Sequence, residues 1–367
     1  LLESFSSSGF RNLESEPFAL ARGITLLYGD NGAGKTNFLE ALAVLSGRPS
    51  FRAARSSEMA RGDSFTVRGR ARGPAGPEEL SVAWQAGRAR RFARGSRAVA
   101  FTAMAEVFPA VFLVPEDRDL VIGSPSARRR FLDRMAVTLF PAAAADFRRF
   151  HKALEQRNAQ IASGAEGDAL ESWTEEFLEC CAAVARRRRD ALALWKPAFV
   201  ELCGGPSGLP ELEVSYRGGP GEAGDAVGHY RAEAASCRRA ELARGHTLFG
   251  PQRDDLEMSR GGRAFAASAS GGEILRAAFL ARIAEGRAAL RAGGHAPLFA
   301  VDDFDSELSP RSAEALLSEL PEDGQLVLTT TRPEAAAACP RRPEALYEVE
   351  AGRARLRPER ENMRRIG

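Results

Sequence analysis

The chain has 367 residues, 44% of them hydrophobic and 27% charged, with a formal net charge of +2. That balance suits a globular protein long enough to bury full cores without disulfide staples. It excludes a helical membrane protein, because no apolar run approaches the roughly 18 residues of a membrane span, and its near-neutrality makes no whole-chain case for a polyanionic partner. Residues 1–11 lack the basic start and apolar stretch of a signal peptide. The five cysteines include the adjacent pair Cys180 and Cys181, a pattern that fits buried thiols in a reducing compartment, so a cytoplasmic location is expected. Among the 51 basic residues only Lys35, Lys152 and Lys196 are lysines. A chain that writes arginine almost everywhere makes a lysine in a glycine-rich loop informative.

In chain order, Ile24-Thr25-Leu26-Leu27-Tyr28 reads as a short buried strand ending at a glycine. Residues 36–45 then carry helical spacing, with Phe38, Leu39, Leu42 and Leu45 on one face. Between them lies Gly29-Asp30-Asn31-Gly32-Ala33-Gly34-Lys35-Thr36, followed by Asn37. A chance glycine-rich turn is the plain reading. The strand before and helix after favour a phosphate loop, whose backbone N–H groups and helix N-terminus would cradle the phosphates of ATP. Lys35 would then reach the β- and γ-phosphates, and the Thr36 hydroxyl would sit on Mg²⁺. Residues 65–70 and 80–85 alternate and are punctuated by glycines, the pattern of an antiparallel meander.

Residues 126–203 change character. Phe147, Phe150, Leu154, Arg157 and Ile161 keep a three-four spacing, as do Leu170, Trp173, Phe177, Cys180, Val184, Arg187, Ala191 and Leu194. This predicts an antiparallel helical hairpin with a seam weakened by Arg157 and Arg187. Pro141 is expected to kink or divide its first arm, and Asp168 with Glu171 resembles a capping box. A strand is expected around residues 212–216 and an amphipathic helix over 225–244. Leu298-Phe299-Ala300-Val301 and Leu326-Val327-Leu328 read as buried strands.

The first of these ends in Asp302-Asp303. Two carboxylates at a strand end often merely leave the core. Beside a phosphate loop they suit a Mg²⁺ site, with Asp302 holding the metal and Asp303 orienting or deprotonating the attacking water. Ser270-Gly271-Gly272 precedes a helix and is either an ordinary N-cap or, lying between the phosphate loop and the Asp pair, an element that resembles the signature of ATP-binding-cassette ATPases.

Further stretches resemble the RecF family of recombination mediators: Gly9-Phe10-Arg11-Asn12, residues 29–41, Ser50-Phe51-Arg52, Val114-Pro115-Glu116-Asp117, Gly123-Ser124-Pro125, residues 128–133, residues 250–256, and Asp302-Asp303 with Ser306-Glu307-Leu308. They are collinear with the family over nearly the whole chain. The resemblance implies an α/β fold, an ABC-type P-loop ATPase head with a mixed sheet and an antiparallel β meander, and an inserted α-helical hairpin. The expected domains are residues 1–118 and 245–367 for the head and 119–244 for the arm. It implies ATP and Mg²⁺ as cofactors and weak, slow ATPase activity. It further implies ATP-dependent homodimerisation in which Ser270, Gly271 and Gly272 of one copy meet the nucleotide of the other, together with binding of duplex DNA near gaps and partnership with RecR, RecO and RecA. Departures stand at Glu273, Ile274 and Leu275, at Gln252, and at Ser309. Thr329-Thr330-Thr331 stands where many cassettes place a histidine.

The arginine clusters Arg128-Arg129-Arg130 and Arg186-Arg187-Arg188 can be solvated helix faces or phosphate contacts. The resemblance favours DNA. A further group comprises Arg88, Arg90, Arg91, Arg94 and Arg97. The main rival is the nucleotide-binding subunit of a membrane transporter, against which the inserted hairpin argues.

Overall fold

Period-two runs broken by glycine give strands, and three-four periodicity bounded by caps gives helices. The structure, a computed structural model, describes residues 1–73, 76–164, 168–206, 208–220, 225–293, 295–306, 308–322, 324–339 and 341–357. Glu307, Gly167 and the side chain of Asp168, with its expected capping box, lie outside the described residues. In chain order come β1 (Leu2–Ser8), β2 (Phe18–Ala19), β3 (Ile24–Tyr28), α1 (Lys35–Leu45), β4 (Ser64–Gly73), β5 (Gly76–Gln85), β6 (Arg91–Arg94), β7 (Arg97–Val99), α2 (Thr102–Val107) and β8 (Ala110–Leu113). Next are α3 (Asp119–Ile122), α4 (Pro125–Leu139), α5 (Ala143–Ala162), α6 (Asp168–Gly204), β9 (Glu213–Arg217), α7 (Ala226–Arg244), β10 (Asp255–Arg260) and β11 (Arg263–Ala264). The chain ends with α8 (Gly271–Arg291), β12 (Leu298–Val301), α9 (Pro310–Ser318), β13 (Leu326–Thr330), β14 (Ala345–Glu350) and β15 (Arg353–Leu356).

Two units result. The first comprises Leu1–Arg118, Glu201–Pro210 and Ser270–Gly367; the second comprises Asp119–Val200 and Glu211–Ala269. The expected boundary after residue 244 therefore moves to Ala269. Strand β10, which sequence reading did not separate from the head, pairs antiparallel with β9 along its length, and backbone pairing binds 245–269 to the helical unit.

The first unit, the head, holds two sheets. One is mixed, in the order β15-β14-β3-β13-β12-β8, and the other is antiparallel, β2-β1-β4-β5-β6-β7. Strands β14, β3, β13, β12 and β8 run parallel. Helix α1 is buried continuously from Phe38 to Leu45, with Glu40 its one charged residue in that stretch. Its Phe38, Leu39, Leu42 and Leu45 share one core with Phe5, Phe65, Val67 and Val82 of the antiparallel sheet and Leu27, Ala300 and Val327 of the mixed sheet. The element that presents the phosphate loop is thereby clamped between two sheets.

The second unit is the helical one. Pro141 divides its first arm: α4 stops at Leu139 and α5 starts at Ala143. Arg149 bonds Glu176, Arg157 bonds Thr174, and Arg187 bonds Asp146, which fixes α5 and α6 as antiparallel. Phe150, Phe177 and Phe249 pack in succession, each ring pair 5.5 Å apart. Arg157 does not weaken this seam. It is 2% exposed, donates both terminal nitrogens to Glu241 at 3.0 and 2.7 Å, and lies 4.9 Å over the Phe249 ring. Cys180, Cys181 and Cys203 are buried free thiols, and burial pushes Cys180 up to about 11 and Cys203 up to about 12. Such thiols stay protonated and serve packing.

Candidate functional site

The phosphate loop links β3 to α1 by a turn closed from Ala33 N–H to the Asp30 carbonyl at 3.1 Å. Gly34, at φ 113°, is the N-cap of α1 and supplies no side-chain cap, so the first-turn N–H groups face the loop's mouth. Gly29 is required for a second reason. A Cβ there would lie 2.3 Å from the Val349 carbonyl of β14. On its other side the loop is held by Gly352 N–H, which donates to the Ala33 carbonyl at 2.7 Å. Gly29, Asp30, Asn31, Gly32, Ala33 and Gly34 thus form one braced cradle.

Lys35 is 4% exposed and donates to the carbonyls of Gly29 at 2.7 Å and Asp30 at 3.1 Å. Among the described residues no carboxylate lies within salt-bridge distance of it. Thr36 Oγ1 donates to Asp302 Oδ2 at 2.8 Å, across 266 residues of chain. Parallel pairing of β13 between β3 and β12 creates that meeting: the Asp pair leaves the sheet at the same edge as the loop. Burial pushes the Asp302 carboxyl up to about 6, against hydrogen bonds from Thr329 and Thr36 and with repulsion from Asp303 adding to the rise. A cation at this position would reverse the shift.

Asp303 stands at φ 44°, a left-handed conformation that costs about 1–3 kcal/mol in a non-glycine residue. Its N–H is held by Thr329 Oγ1 at 2.8 Å, and that hydroxyl donates to Asp302 Oδ1 at 2.6 Å. Asp303 Oδ1 is buried without a hydrogen-bond partner among the described residues, and burial raises its pKa despite the attraction of Lys35. A strained backbone, an unsatisfied oxygen and a raised pKa are the features of a carboxylate placed to take a proton. Asn31, Gly32, Gly34, Lys35, Thr36, Asn37, Arg52, Pro115, Glu116, Asp302 and Asp303 line one cleft of about 340 Å³. The donor set fits a Mg²⁺–nucleoside triphosphate: uncapped N–H groups and a lysine for phosphate, and a hydroxyl with a carboxylate for a hard cation.

Sequence reading left three supports of this cleft without a role. Thr329 aligns both aspartates; the sequence marked it as standing where many cassettes place a histidine, without giving it this task. Arg11 grips the buried Glu40 of α1 through two bonds of 2.8 Å, and Asn12 accepts from Asn37 at 2.7 Å. A buried chain of charges runs from Arg48, just after α1, to Glu285 at 2.7 Å, then Arg282 at 3.0 Å, then Asp117 at 2.7 Å. Asp117 in turn accepts the Val114 N–H at 3.0 Å beside the cleft residues Pro115 and Glu116.

Ser270 is the N-cap of α8 with a complete capping box: its hydroxyl accepts the Glu273 N–H, and the Glu273 carboxylate accepts the Ser270 N–H at 2.8 Å. Glu273, a departure from the family pattern, thereby secures the turn. Ser309, another departure, caps α9 by accepting the Ser312 N–H. Among the described residues the cleft lining does not include Ser270, Gly271 or Gly272.

The expected phosphate-contacting arginines fare unevenly. Arg188 is 2% exposed and is held by Asp133 at 2.7 Å and Asp254 at 3.0 Å. Burial opposes its charge, and the two aspartates more than offset that. It is a core residue of the helical unit and cannot reach an external phosphate, so that expectation is corrected. Arg128 is committed to Asp255 at 2.6 Å and Arg187 to Asp146 at 2.7 Å. Arg129 donates to the Asp254 carbonyl at 2.8 Å. Arg130 and Arg186 are exposed.

A phosphate loop between a parallel strand and a doubly clamped helix, an Asp pair two strands away and a capped Ser-Gly-Gly turn define the head of an ABC-type P-loop ATPase. Residues 5–68 match a family model described as an AAA domain. Across 96% of its length the chain is 35% identical to the DNA replication and repair protein RecF of Anaeromyxobacter sp. (strain Fw109-5), 98% of which is covered. It is 32% identical, over the same shares, to that of Heliobacterium modesticaldum (strain ATCC 51547 / Ice1). The chain belongs to the RecF family. A solved structure of the recombination mediator protein RecF-ATP in the RecFOR pathway is similar with TM-score 0.86 at 23% identity, covering 97% of both chains. An Smc head bound to the C-winged helix domain of ScpA gives 0.55 at 14% identity, again over 97% of both. At those identities the likeness is one of fold.

Proposed function

We propose that this chain is an ATP-gated DNA-binding protein of recombinational repair. In this reading it binds Mg²⁺–ATP, dimerises on it, holds duplex DNA near single-strand gaps, and acts in the cytoplasm with RecR, RecO and RecA-type proteins to help load the recombinase. The observation that carries the reading is the division of the site. Thr36 and Asp302 meet at 2.8 Å in one cleft, while the Ser270-Gly271-Gly272 turn stays outside its lining. A second copy supplying its own turn would complete each cleft. The printed names of the relatives, DNA replication and repair protein and recombination mediator, support the biological setting.

When bound, Mg²⁺–ATP supplies a phosphoryl group activated for transfer to water. The loop N–H groups and Lys35 would hold phosphate oxygens, and Thr36 and Asp302 would hold the cation. Asp303 orients water and takes its proton at Oδ1. Arg52, which reaches into the cleft and bonds the Asn37 amide oxygen at 3.1 Å, adds positive charge at the mouth. Turnover is slow and stimulated by DNA, because each cleft is incomplete until two chains meet.

Sedimentation with and without Mg²⁺–ATP tests the division. The wild-type chain is expected to shift from monomer to dimer. Ser270→Arg should stay monomeric while binding ATP with wild-type affinity, and a wild-type chain that remains monomeric at saturating ATP rejects the shared site.

A further inference from the structure

The antiparallel sheet of the head turns one face to the core and one to solvent. On β4, Phe65, Val67, Gly69 and Ala71 are buried, and Arg68, Arg70 and Arg72 are exposed between them. The alternation is the ordinary period of a half-buried strand. Its outward content is unusual. The register sets Ser6 and Ser81 on either side of Arg68, Ser4 and Glu79 on either side of Arg70, and Ser8 and Ala83 on either side of Thr66. Arg91 of β6 lies beyond Ala83 on the same face. The result is a shallow surface of small hydroxyl side chains crossed by guanidinium groups.

Ion pairing distinguishes these arginines from a set of arginines in the helical unit. In the helical unit Arg128, Arg149, Arg157, Arg187, Arg188 and Arg231 each hold a carboxylate within 2.7 Å. Among the described residues Arg68, Arg70 and Arg91 have no ion-pair partner, although Glu79 lies across from Arg70. Arg72 is paired with Glu3. Unpaired arginines side by side repel one another, and an external polyanion would relieve that repulsion.

We infer that this outer sheet face is a docking surface for the sugar-phosphate backbone of duplex DNA. The inference rests on the DNA reading above and locates the contact on the head. Arg68 and Arg70 stand two residues apart on one strand, about 6.8 Å by strand geometry, a spacing on the scale of successive phosphates along one nucleic-acid strand. Guanidinium groups grip phosphate oxygens through paired hydrogen bonds, and serine and threonine hydroxyls add neutral donors at the same level. Among the described residues the strands carry no aromatic side chain on this face: Phe18, Phe65 and Phe92 belong to the opposite, inward parity. Binding sites for single strands combine positive charge with aromatic platforms for unstacked bases. A charged, flat face without such platforms suits a duplex, whose bases stay stacked inside.

Duplex binding measured by fluorescence anisotropy over a salt series, with Mg²⁺–ATP present, tests this. Wild type is compared with the triple variant R68A/R70A/R91A. Each lost phosphate contact should lower the slope of log affinity against log salt by about 0.9, so the triple variant is expected to lose between two and three units of slope, alike for duplexes of different sequence. Its ATP affinity and ATP-driven dimerisation should match wild type. R68K/R70K/R91K should recover most of the slope, and R130A/R186A on the helical unit should leave it nearly unchanged. A triple variant that binds duplex with the wild-type slope overturns the sheet-face assignment. So does a preference of wild type for single strands that the triple variant abolishes. Wild-type protein that binds no duplex with or without ATP overturns the underlying DNA reading instead.

Discussion

Lys35 in the head and Arg188 in the helical unit are both almost fully buried cations, 4% and 2% exposed. They differ in what faces them. Arg188 is enclosed by the carboxylates of Asp133 and Asp254, with the Tyr216 hydroxyl on Asp254 and the Pro251 carbonyl on Arg188 completing the network. Among the described residues Lys35 donates its hydrogen bonds to the carbonyls of its own loop, with Asp303 near enough to feel its charge but not paired with it. A buried charge with carboxylate partners is a structural element whose removal exposes the partners. A buried charge held by neutral oxygens keeps most of its field available to an anion. The contrast separates residues that hold the fold from residues that bind, in a chain where composition makes nearly every cation look alike.

Breaking each site should give opposite results. Arg188→Met leaves Asp254 and Asp133 without their cation inside the helical unit and should destabilise that unit by about 3–5 kcal/mol, read by urea unfolding followed through Trp195 and Trp173 fluorescence. Folded protein should keep wild-type ATP affinity. Lys35→Met should do the reverse: ATP affinity falls by about a hundredfold or more, in keeping with a charge-assisted phosphate contact, while the unfolding midpoint without nucleotide stays within error of wild type. An Arg188→Met protein as stable as wild type, or a Lys35→Met protein that still binds ATP tightly, would remove the distinction.

A smaller effect sharpens the head side of it. Thr329→Val keeps shape and removes the hydroxyl that bonds both Asp302 and the Asp303 N–H. Turnover should fall about tenfold, within the range seen when groups that orient metal ligands are removed, with little change in nucleotide affinity. Equal losses in both would mean that the hydroxyl only supports folding.

The smallest effect is pH dependence. The folded Asp302 carboxyl titrates at about 6, above its ordinary 3.8. Without ligand this group therefore binds a proton in the folded state that the unfolded chain has released, and its contribution to stability declines as pH rises from 3.8 through 6. Cation binding needs the ionised form, so Mg²⁺–ATP affinity should weaken as pH is lowered through 6, with proton release on binding visible by calorimetry in two buffers. Glu285, lowered to about 2 by Arg48 and Arg282 against its burial, has the opposite sign: its stabilisation is present above 4.5 and is lost as pH falls towards 2. Thermal unfolding between pH 2 and 7 of Glu285→Gln and Asp302→Asn should show the two slopes separately, that of Glu285 below pH 4.5 and that of Asp302 between pH 3.8 and 6.

How much was legible in advance depends on the range of the interaction. The strand at 24–28, the helix after it, the division at Pro141 and the strand before Asp302 all follow from local periodicity and breakers, and each stands where expected. The Ser270 turn was legible as a cap, and the structure adds why Glu273 stands there. Strands β8, β14 and β15 were not singled out. They are short, and their place in the sheet is fixed by neighbours far away in sequence. The boundary at Ala269 was missed for the same reason.

The sequence by itself determined the phosphate loop, since glycine spacing, Lys35 and Thr36 state a local backbone requirement that few other sequences meet. It also determined the family, through an ordered series of such local requirements. Only the tertiary structure decided which cations are free to act. Arg157 and Arg188 find their acids 84 and 55 residues away, and Arg68 and Arg70 find none among the described residues. Whether a charge is neutralised depends on the few ångströms around it, and those surroundings are assembled by folding from distant parts of the chain.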